Sequence, residues 1–587
     1  MNILVEPIYI GLVQSILSLF LISGIIYFGK IINVILFKKY DFIFFNLLIS
    51  LIIFSQILKI SSYVGFFKEI NFILSYSILL FGIYNLKNLF SFFNIKDFLL
   101  TSSKIEILII LFLFILFVIS ISPPSMADAL DYHYGIPLYL LKFNQIPSLN
   151  LWLHGNVGGN GDIFNSIAIY LGSDNFGSLI QLISILLFFL FLKKEINNKN
   201  KINFLIIFIL SSPTILQLLS GPKFMLLPQL MTATALYFFV KIKKIEVIDF
   251  IFIAVLLMGA AQFKSSFIIS SSLIGFLTFY KALRFNKIKI LFYTSLLTVI
   301  FFAPTAIWNF SEVSSFNLIN IFTPMPDEMM NNMKSFRENH FIYPLNLLIP
   351  DSFGKISTII GFQFLLLFFS FKKTKQFKSV ILITFGTILI HSFIGMNVGR
   401  MYFEFILWLA ISFIFINDKK INYNFYTKLI LPQLLLVFCL SFYFAVTSVP
   451  TIFSNKSRDS FMIKNSNYYA SIKWINNTLP LDAKVISGIR SVSLLKNEFA
   501  PTDWLDFDIP KSELIGYFNL LKEKKMNYIV LVTDTLNHHS FKNCVGPEFA
   551  QSSNFIRATR NPLNRKGEYR LSIYHFDYKK LPSCFID

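Results

Sequence analysis

The chain has 587 residues, 55% of them hydrophobic and only 14% charged, with a mean hydropathy of +0.64. An average soluble domain carries about 25% charge, so composition excludes an ordinary water-soluble fold and indicates a polytopic membrane protein. The formal charge of +20 does not indicate nucleic-acid binding, because the basic residues fall in short groups between apolar stretches and form no stripe with interleaved aromatics.

Apolar stretches of about 20 residues, the length of one bilayer crossing, fill most of the first 450 positions. They predict a polytopic all-α membrane bundle of thirteen or fourteen transmembrane helices, at 8–28, 42–61, 71–90, 105–122, 177–192, 203–219, 224–240, 248–262, 265–283, 291–308, 356–371, 380–395, 402–416 and 429–446. The opening carries Glu6 and Pro7 and lacks an A-x-A-like cleavage site, so the first span is expected to be retained. Residues 1–100 read as additional N-terminal helices without polar chemistry, and 101–450 as the core, with outer loops at 123–160 and 308–353. The stretch 162–192, broken at Gly172-Ser-Asp174-Asn175, crosses once with a partly re-entrant entry or crosses twice.

Basic residues set the orientation. Lys38 and Lys39, Lys104, Lys193 and Lys194, Lys241 and Lys244, Lys281 and Lys289, Lys372 and Lys378, and Lys419 and Lys428 fall on one side. Taking that side as cytoplasmic, in a bacterial-type inner membrane, puts the loop after residue 122, the loop 308–353 and the tail after 449 outside.

The run 105–122 ends in Pro123-Pro124-Ser-Met-Ala-Asp128-Ala-Leu-Asp131-Tyr-His133-Tyr-Gly135. Acids at membrane depth are costly unless they have a task or a partner. A short helix is expected over 125–134, broken by Gly135 and Pro137 and restarted through 138–142. Spacing of three puts Asp128 and Asp131 on one face, with the helix lying along the interface and its apolar side toward lipid. The plainer alternative is that the acids cap a helix N-terminus after Pro124.

Farther on, Lys223, after Ser220-Gly221-Pro222, and Lys264 stand near the outer ends of spans, against the charge bias. Each is a candidate anion contact or a snorkelling side chain. Arg400 reads by itself as an interfacial snorkelling residue, and Glu404, four residues on, is expected to neutralise it. His154 and Asp162 lack the tight spacing of a metal site. From about 465 the texture becomes that of a soluble α/β domain, assigned to 455–587: helices at 468–479 and 513–525 alternate with apolar strands at 484–487 and 528–532, and an amphipathic strand at 569–576 closes a small parallel-sheet layer. It holds no G-x-G-x-x-G or P-loop, so the tail reads as a scaffold or an acceptor-docking domain. Cys544 and Cys584 share this exported tail and are expected to pair.

Asp128-Ala-Leu130-Asp131-Tyr132-His133 resembles the first external loop of GT-C class membrane glycosyltransferases, in the protein O-mannosyltransferase and aminoarabinose transferase-like superfamily, in the subset reading Asp-x-Leu-x-Tyr-His. Asn339-His-Phe-Ile-Tyr343-Pro344 resembles the Asn-Pro-x-x-Tyr-Pro segment of a later loop, with His340 replacing the first proline. Gly399-Arg400-Met-Tyr402-Phe-Glu404 resembles the Arg-Tyr entrance to a late span. The resemblance implies an inverting transfer of sugar from a polyprenyl-phosphate carrier to an external glycan, lipid or protein, within membrane lipids and without nucleic acid. It implies Asp128 as general base and Asp131 as second acid or metal ligand. His133, Lys223, Lys264, Tyr343, Arg400 and Tyr402 then bind substrate or carrier phosphate, Arg because its fork takes phosphate oxygens bidentately. No metal ligand set is assigned, and a divalent cation is the one cofactor left open. A transporter or flippase of lipid-linked sugars and a non-catalytic assembly scaffold are the competing classes.

Overall fold

In the computed structural model of the chain, residues 3–92, 103–148, 150–152, 155, 158–312, 347–350, 353–368, 374–394, 399–416, 421–505, 511–533, 542–558, 567–581 and 584 are described. The first helices are α1 (Gly11–Leu36), α2 (Ile43–Tyr63), α3 (Phe67–Phe92) and α4 (Lys104–Ser120). After the acidic turn come α5 (Tyr134–Phe143), α6 (Asn160–Phe164), α7 (Ser166–Tyr170), α8 (Phe176–Glu195), α9 (Lys199–Leu210) and α10 (Thr214–Leu219). Then follow α11 (Leu226–Lys241), α12 (Val247–Phe263), α13 (Ile268–Leu283), α14 (Lys287–Glu312), α15 (Lys375–Ile394), α16 (Gly399–Ile414) and α17 (Tyr423–Phe453).

Among the described residues eight helices are long and apolar enough to cross a membrane, namely α1, α2, α3, α8, α13, α14, α15 and α17. The other predicted spans are shorter. Helices α4, α11, α12 and α16 have 16 or 17 residues, and the span expected at 203–219 is divided at Pro213 between α9 and α10. Close crossings hold the preface of the bundle: a Cβ on Gly24 of α1 would lie 1.9 Å from the Ile78 carbonyl oxygen of α3, and one on Gly82 would lie 1.8 Å from that of Phe20. Small residues at such crossings let backbones approach without a clash.

Three expectations are corrected. Of the residues read as the span 356–371, those described, to 368, lie in two 3-10 stretches, Phe353–Thr358 and Phe362–Phe368, on either side of Gly361, whose φ is +91°. The backbone leaves the helical ladder because polar side chains satisfy it: Ser212 Oγ donates to the Ile360 carbonyl at 2.9 Å, Thr214 Oγ1 to that of Ile359, and the Phe362 N–H donates to Gln433 Oε1 at 2.8 Å. Irregular backbone inside a membrane is tolerated only with such internal partners. Second, Gly135 and Pro137 do not break the helix after the acids. A π turn, Ala129–His133, displaces the regular ladder and runs directly into α5, which includes Pro137. Third, that turn does not show an apolar side to lipid, for all five of its residues are buried. The stretch 162–192 settles as two five-residue helices and the 20-residue α8, the single-crossing alternative.

The chain leaves α17 into α18 (Asn455–Asn465), α19 (Tyr469–Thr478), β1 (Lys484–Ser487), β2 (Glu498–Pro501), α20 (Lys511–Glu523), β3 (Tyr528–Val532), β4 (Val545–Gln551), β5 (Phe555–Ile556), β6 (Glu568–Tyr569) and β7 (Leu571–Phe576). The main sheet has the order β2-β1-β3-β7-β4. Its β2, β1 and β3 are parallel as expected, whereas β7 and β4 pair antiparallel, so the layer is mixed. A second ladder joins β5 to β6. Cys544 and Cys584 are paired as a disulfide, their Cα atoms 5.4 Å apart.

This domain sits on one end of the bundle. Arg458 of α18 grips Asp174, just before α8, with both guanidinium amines, and the pair is buried. The Tyr134 hydroxyl donates to the Asp174 carbonyl, Ser493 Oγ donates to the Leu130 carbonyl of the π turn, and Lys496 meets Glu6 at 2.8 Å. At the other end of the bundle, Asp249 pairs with Lys39, Glu106 with Lys199 and Glu195 with Lys241.

Candidate functional site

The acids at the junction are placed by the π turn. Asp128 immediately precedes it, Asp131 is its third residue, and its last residue, His133, leads into α5. The loop opposite them, 220–225, is fastened by Gln181 of α8, whose Nε2 donates to the Gly221 carbonyl at 3.1 Å and whose Oε1 accepts from the N–H groups of Met225 and Leu226. The loop packs closely on Met126, whose Sδ would stand 2.5 Å from a Cβ on Gly221. So anchored, the loop aims Lys223 at Asp128, and the two form an ion pair.

Asp128 has two more cationic neighbours. Arg400, at the start of α16, lies with Nη1 3.7 Å from Oδ2, and Arg490, in the loop after β1, lies with Nη2 3.1 Å from Oδ1. Arg490 also reaches Asp131, with Nε 3.2 Å from Oδ2, and so ties both carboxylates to the C-terminal domain. Gln229 Nε2 holds the Arg400 carbonyl at 2.7 Å, while Arg400 Nε is buried without a hydrogen-bond partner. Lys264, in the extended break between α12 and α13, places Nζ over the Tyr132 ring, 5.3 Å from its centroid.

Burial opposes ionisation of Asp128, but Lys223, Arg400 and Arg490 outweigh it and hold its carboxyl well below the ordinary range. Burial, with Arg400 adding repulsion, pushes the Lys223 ammonium down to about 8, although Asp128 opposes the shift. About 25% of the Asp128 side chain remains accessible, so an external molecule can reach the ion pairs.

Beside this centre His133 Nδ1 lies 2.5 Å from Asp162 Oδ1, both side chains buried. Asp162 Oδ2 accepts the Gly159 N–H at 3.1 Å. Burial drives the imidazole down to about 4, Asp162 opposing the shift and Lys264 and Lys223 adding to it. His133 Nε2 is buried without a hydrogen-bond partner.

Of the residues singled out by sequence, the structure brings Asp128, Asp131, Lys223 and Arg400 into one ion-pair cluster, with His133 and Lys264 at its edge. Tyr402 packs its ring edge-on against His391 and Phe405, inside α16's contact with α15. Glu404 does not neutralise Arg400: it accepts hydrogen bonds from Thr232 and from Ser270, the latter at 2.9 Å. Tyr343 and His154 lie outside the described residues. Asp162, weighed as a metal ligand, is the partner of His133, and no group of three or more His, Cys, Asp or Glu that could hold a metal occurs among the described residues. Sequence reading missed Arg490. The signal was available in Ser487-Gly488-Ile489-Arg490, a basic residue just past the end of a parallel strand, where α/β sheets present their binding groups.

The family description DUF1420 N-terminal domain matches residues 8–462, and DUF1420 C-terminal domain matches 463–586. The boundary between them falls within α18, close to the change in texture at 465. No curated protein matches the chain.

Proposed function

We propose that this chain, which belongs to the DUF1420 family, is an integral membrane glycosyltransferase that moves a sugar from a polyprenyl-phosphate carrier to an extracytoplasmic acceptor with inversion. One observation carries the reading: a partly accessible aspartate at the end of a membrane bundle, ringed by Lys223, Arg400 and Arg490, under an α/β domain. The acceptor hydroxyl gives its proton to Asp128 as its oxygen bonds to the anomeric carbon. The bond from that carbon to the phosphate oxygen breaks on the opposite face, and the carrier phosphate leaves with the electron pair. Arginine and lysine stabilise the charge that develops there.

Asp128 is a poor base while three cations hold it. An arriving phosphate competes for Lys223 and Arg400, and as their pull on Asp128 weakens its basicity rises toward the range that proton abstraction needs. The lysine-rich end opposite the site supports an external position for the site under the positive-inside rule. His133, oriented by Asp162, flanks the site, and the chemistry as written needs no metal.

Glu404 and His391, ionisable groups buried within α16 and α15, favour a second reading, a translocase for lipid-linked sugars. Cleavage separates the two. Membranes containing the protein, supplied with polyprenyl-phosphate sugar labelled in the sugar, are expected to accumulate free polyprenyl phosphate and labelled acceptor. Movement of intact lipid-linked sugar across the membrane, without cleavage from any donor, would contradict the transferase.

A further inference from the structure

We infer that Lys59 is the anion-recognising residue of a second polar pocket beside the Asp128 centre, and that this pocket takes the carboxylate of an acidic sugar. The inference rests on the glycosyl-transfer reading and names the sugar class. Gln56, Lys59 and Tyr63 share one face of α2 near its end, at the spacing of successive helical turns. Lys59 is 8% exposed. Its Nζ makes one hydrogen bond, to Gln262 Oε1 at 3.2 Å, and no carboxylate faces it among the described residues. An ammonium inside a membrane bundle is costly, and where one is kept it has a partner or marks a ligand path. A neutral amide uses one of its three donors.

The surroundings match a hydroxylated anion. Asn160 Nδ2 donates to Gln56 Oε1 at 2.9 Å, and Gln56 Nε2 donates to the Ile300 carbonyl at 2.8 Å, which fixes both amides. Asn160 Oδ1 is then buried without a hydrogen-bond partner. A lone cation beside an unused amide acceptor is complementary to a carboxylate flanked by hydroxyls. On the α14 side Tyr63 stacks on Trp308, with centroids 5.3 Å apart.

These residues lie close in the chain to members of the Asp128 centre. Gln262 stands two residues before Lys264, and Asn160 two before Asp162. The backbones of these segments touch, since a Cβ on Gly159 would lie 1.9 Å from the Phe263 carbonyl oxygen and 3.0 Å from that of Gln262. A ligand whose phosphate sits on Lys223 and Arg400 therefore has a separate, singly charged polar pocket next to it. The cationic cluster serves the phosphate, and Lys59 serves the sugar.

The test uses the full chain in nanodiscs and three synthetic probes: decaprenyl phosphate, decaprenyl-phosphate glucose and decaprenyl-phosphate glucuronate. Wild type is expected to bind the glucuronate donor about tenfold more tightly than the glucose donor, the gain of a well-placed charge pair. Lys59→Met should abolish that preference while leaving decaprenyl phosphate binding unchanged, and Lys59→Arg should retain much of it. Two results overturn the inference while sparing transfer: wild type showing no preference, or Lys59→Met weakening bare decaprenyl phosphate as much as the glucuronate donor. Failure of all three probes to bind would overturn the glycosyl-transfer reading, and this inference with it.

Discussion

Lys223 carries the clearest pH dependence in the site. Its pKa is depressed to about 8 by burial and by Arg400, so it is charged below that value and loses its proton as pH rises through it. Binding of decaprenyl phosphate is therefore expected to weaken progressively from about pH 8 upward. Lys223→Arg should remove the weakening, because a guanidinium does not titrate there. Titrations with the two proteins check this, and the same fall in both would assign the titration elsewhere. At this scale the sequence was partly legible. The acids of 128 and 131 stood out because charge is rare in apolar chain, and Lys223 and Lys264 because they break the charge bias. Arg490 did not, because its role comes from a contact across more than three hundred and fifty residues of chain. Glu404 was misread because spacing of four suggests a helical ion pair, while the fold turns it toward Thr232 and Ser270 on other helices.

Among elements, hydropathy located the long helices because twenty apolar residues have few other stable conformations in lipid. It failed at 356–371, whose composition is that of a span but whose Gly361 and glutamine partners favour 3-10 turns. It also failed to give the direction of β7 and β4, since an amphipathic strand pattern reads the same in parallel and antiparallel pairing. The contact that matters most between elements is the buried pair of Arg458 on α18 with Asp174 before α8. Removing one partner of a buried pair strands a charge and costs about 3–5 kcal/mol. Arg458→Met is therefore expected to lower the thermal midpoint of the detergent-solubilised protein and to expose α18 to protease. Arg458→Met combined with Asp174→Asn should recover part of the loss. Equal stability of wild type and Arg458→Met, read by the same melt, would show that the pair does not fasten the domain.

For the whole molecule, the two ends of the bundle differ in electrostatic design. At one end each of three acids is matched by a lysine, Lys39, Lys199 or Lys241, that lies 48–60% exposed. Asp249 and Glu106 themselves are buried while their lysines reach water, and those lysines carry topological information. At the other end four cations and three carboxylates, Asp128, Asp131 and Asp162, are drawn together beneath a folded domain, and Arg490 bridges two of the acids from above. The C-terminal domain thus contributes Arg490 to the cluster, whose groups come from both parts of the chain.

The central claim is that Asp128 takes a proton during sugar transfer. The most direct measurement is the rate at which purified protein in proteoliposomes releases polyprenyl phosphate from a labelled polyprenyl-phosphate sugar, compared between wild type and Asp128→Asn. A positioned general base contributes about 10²–10⁴-fold to the rate, and the account predicts a loss of that size with donor binding retained. Equal rates in the two proteins would contradict it.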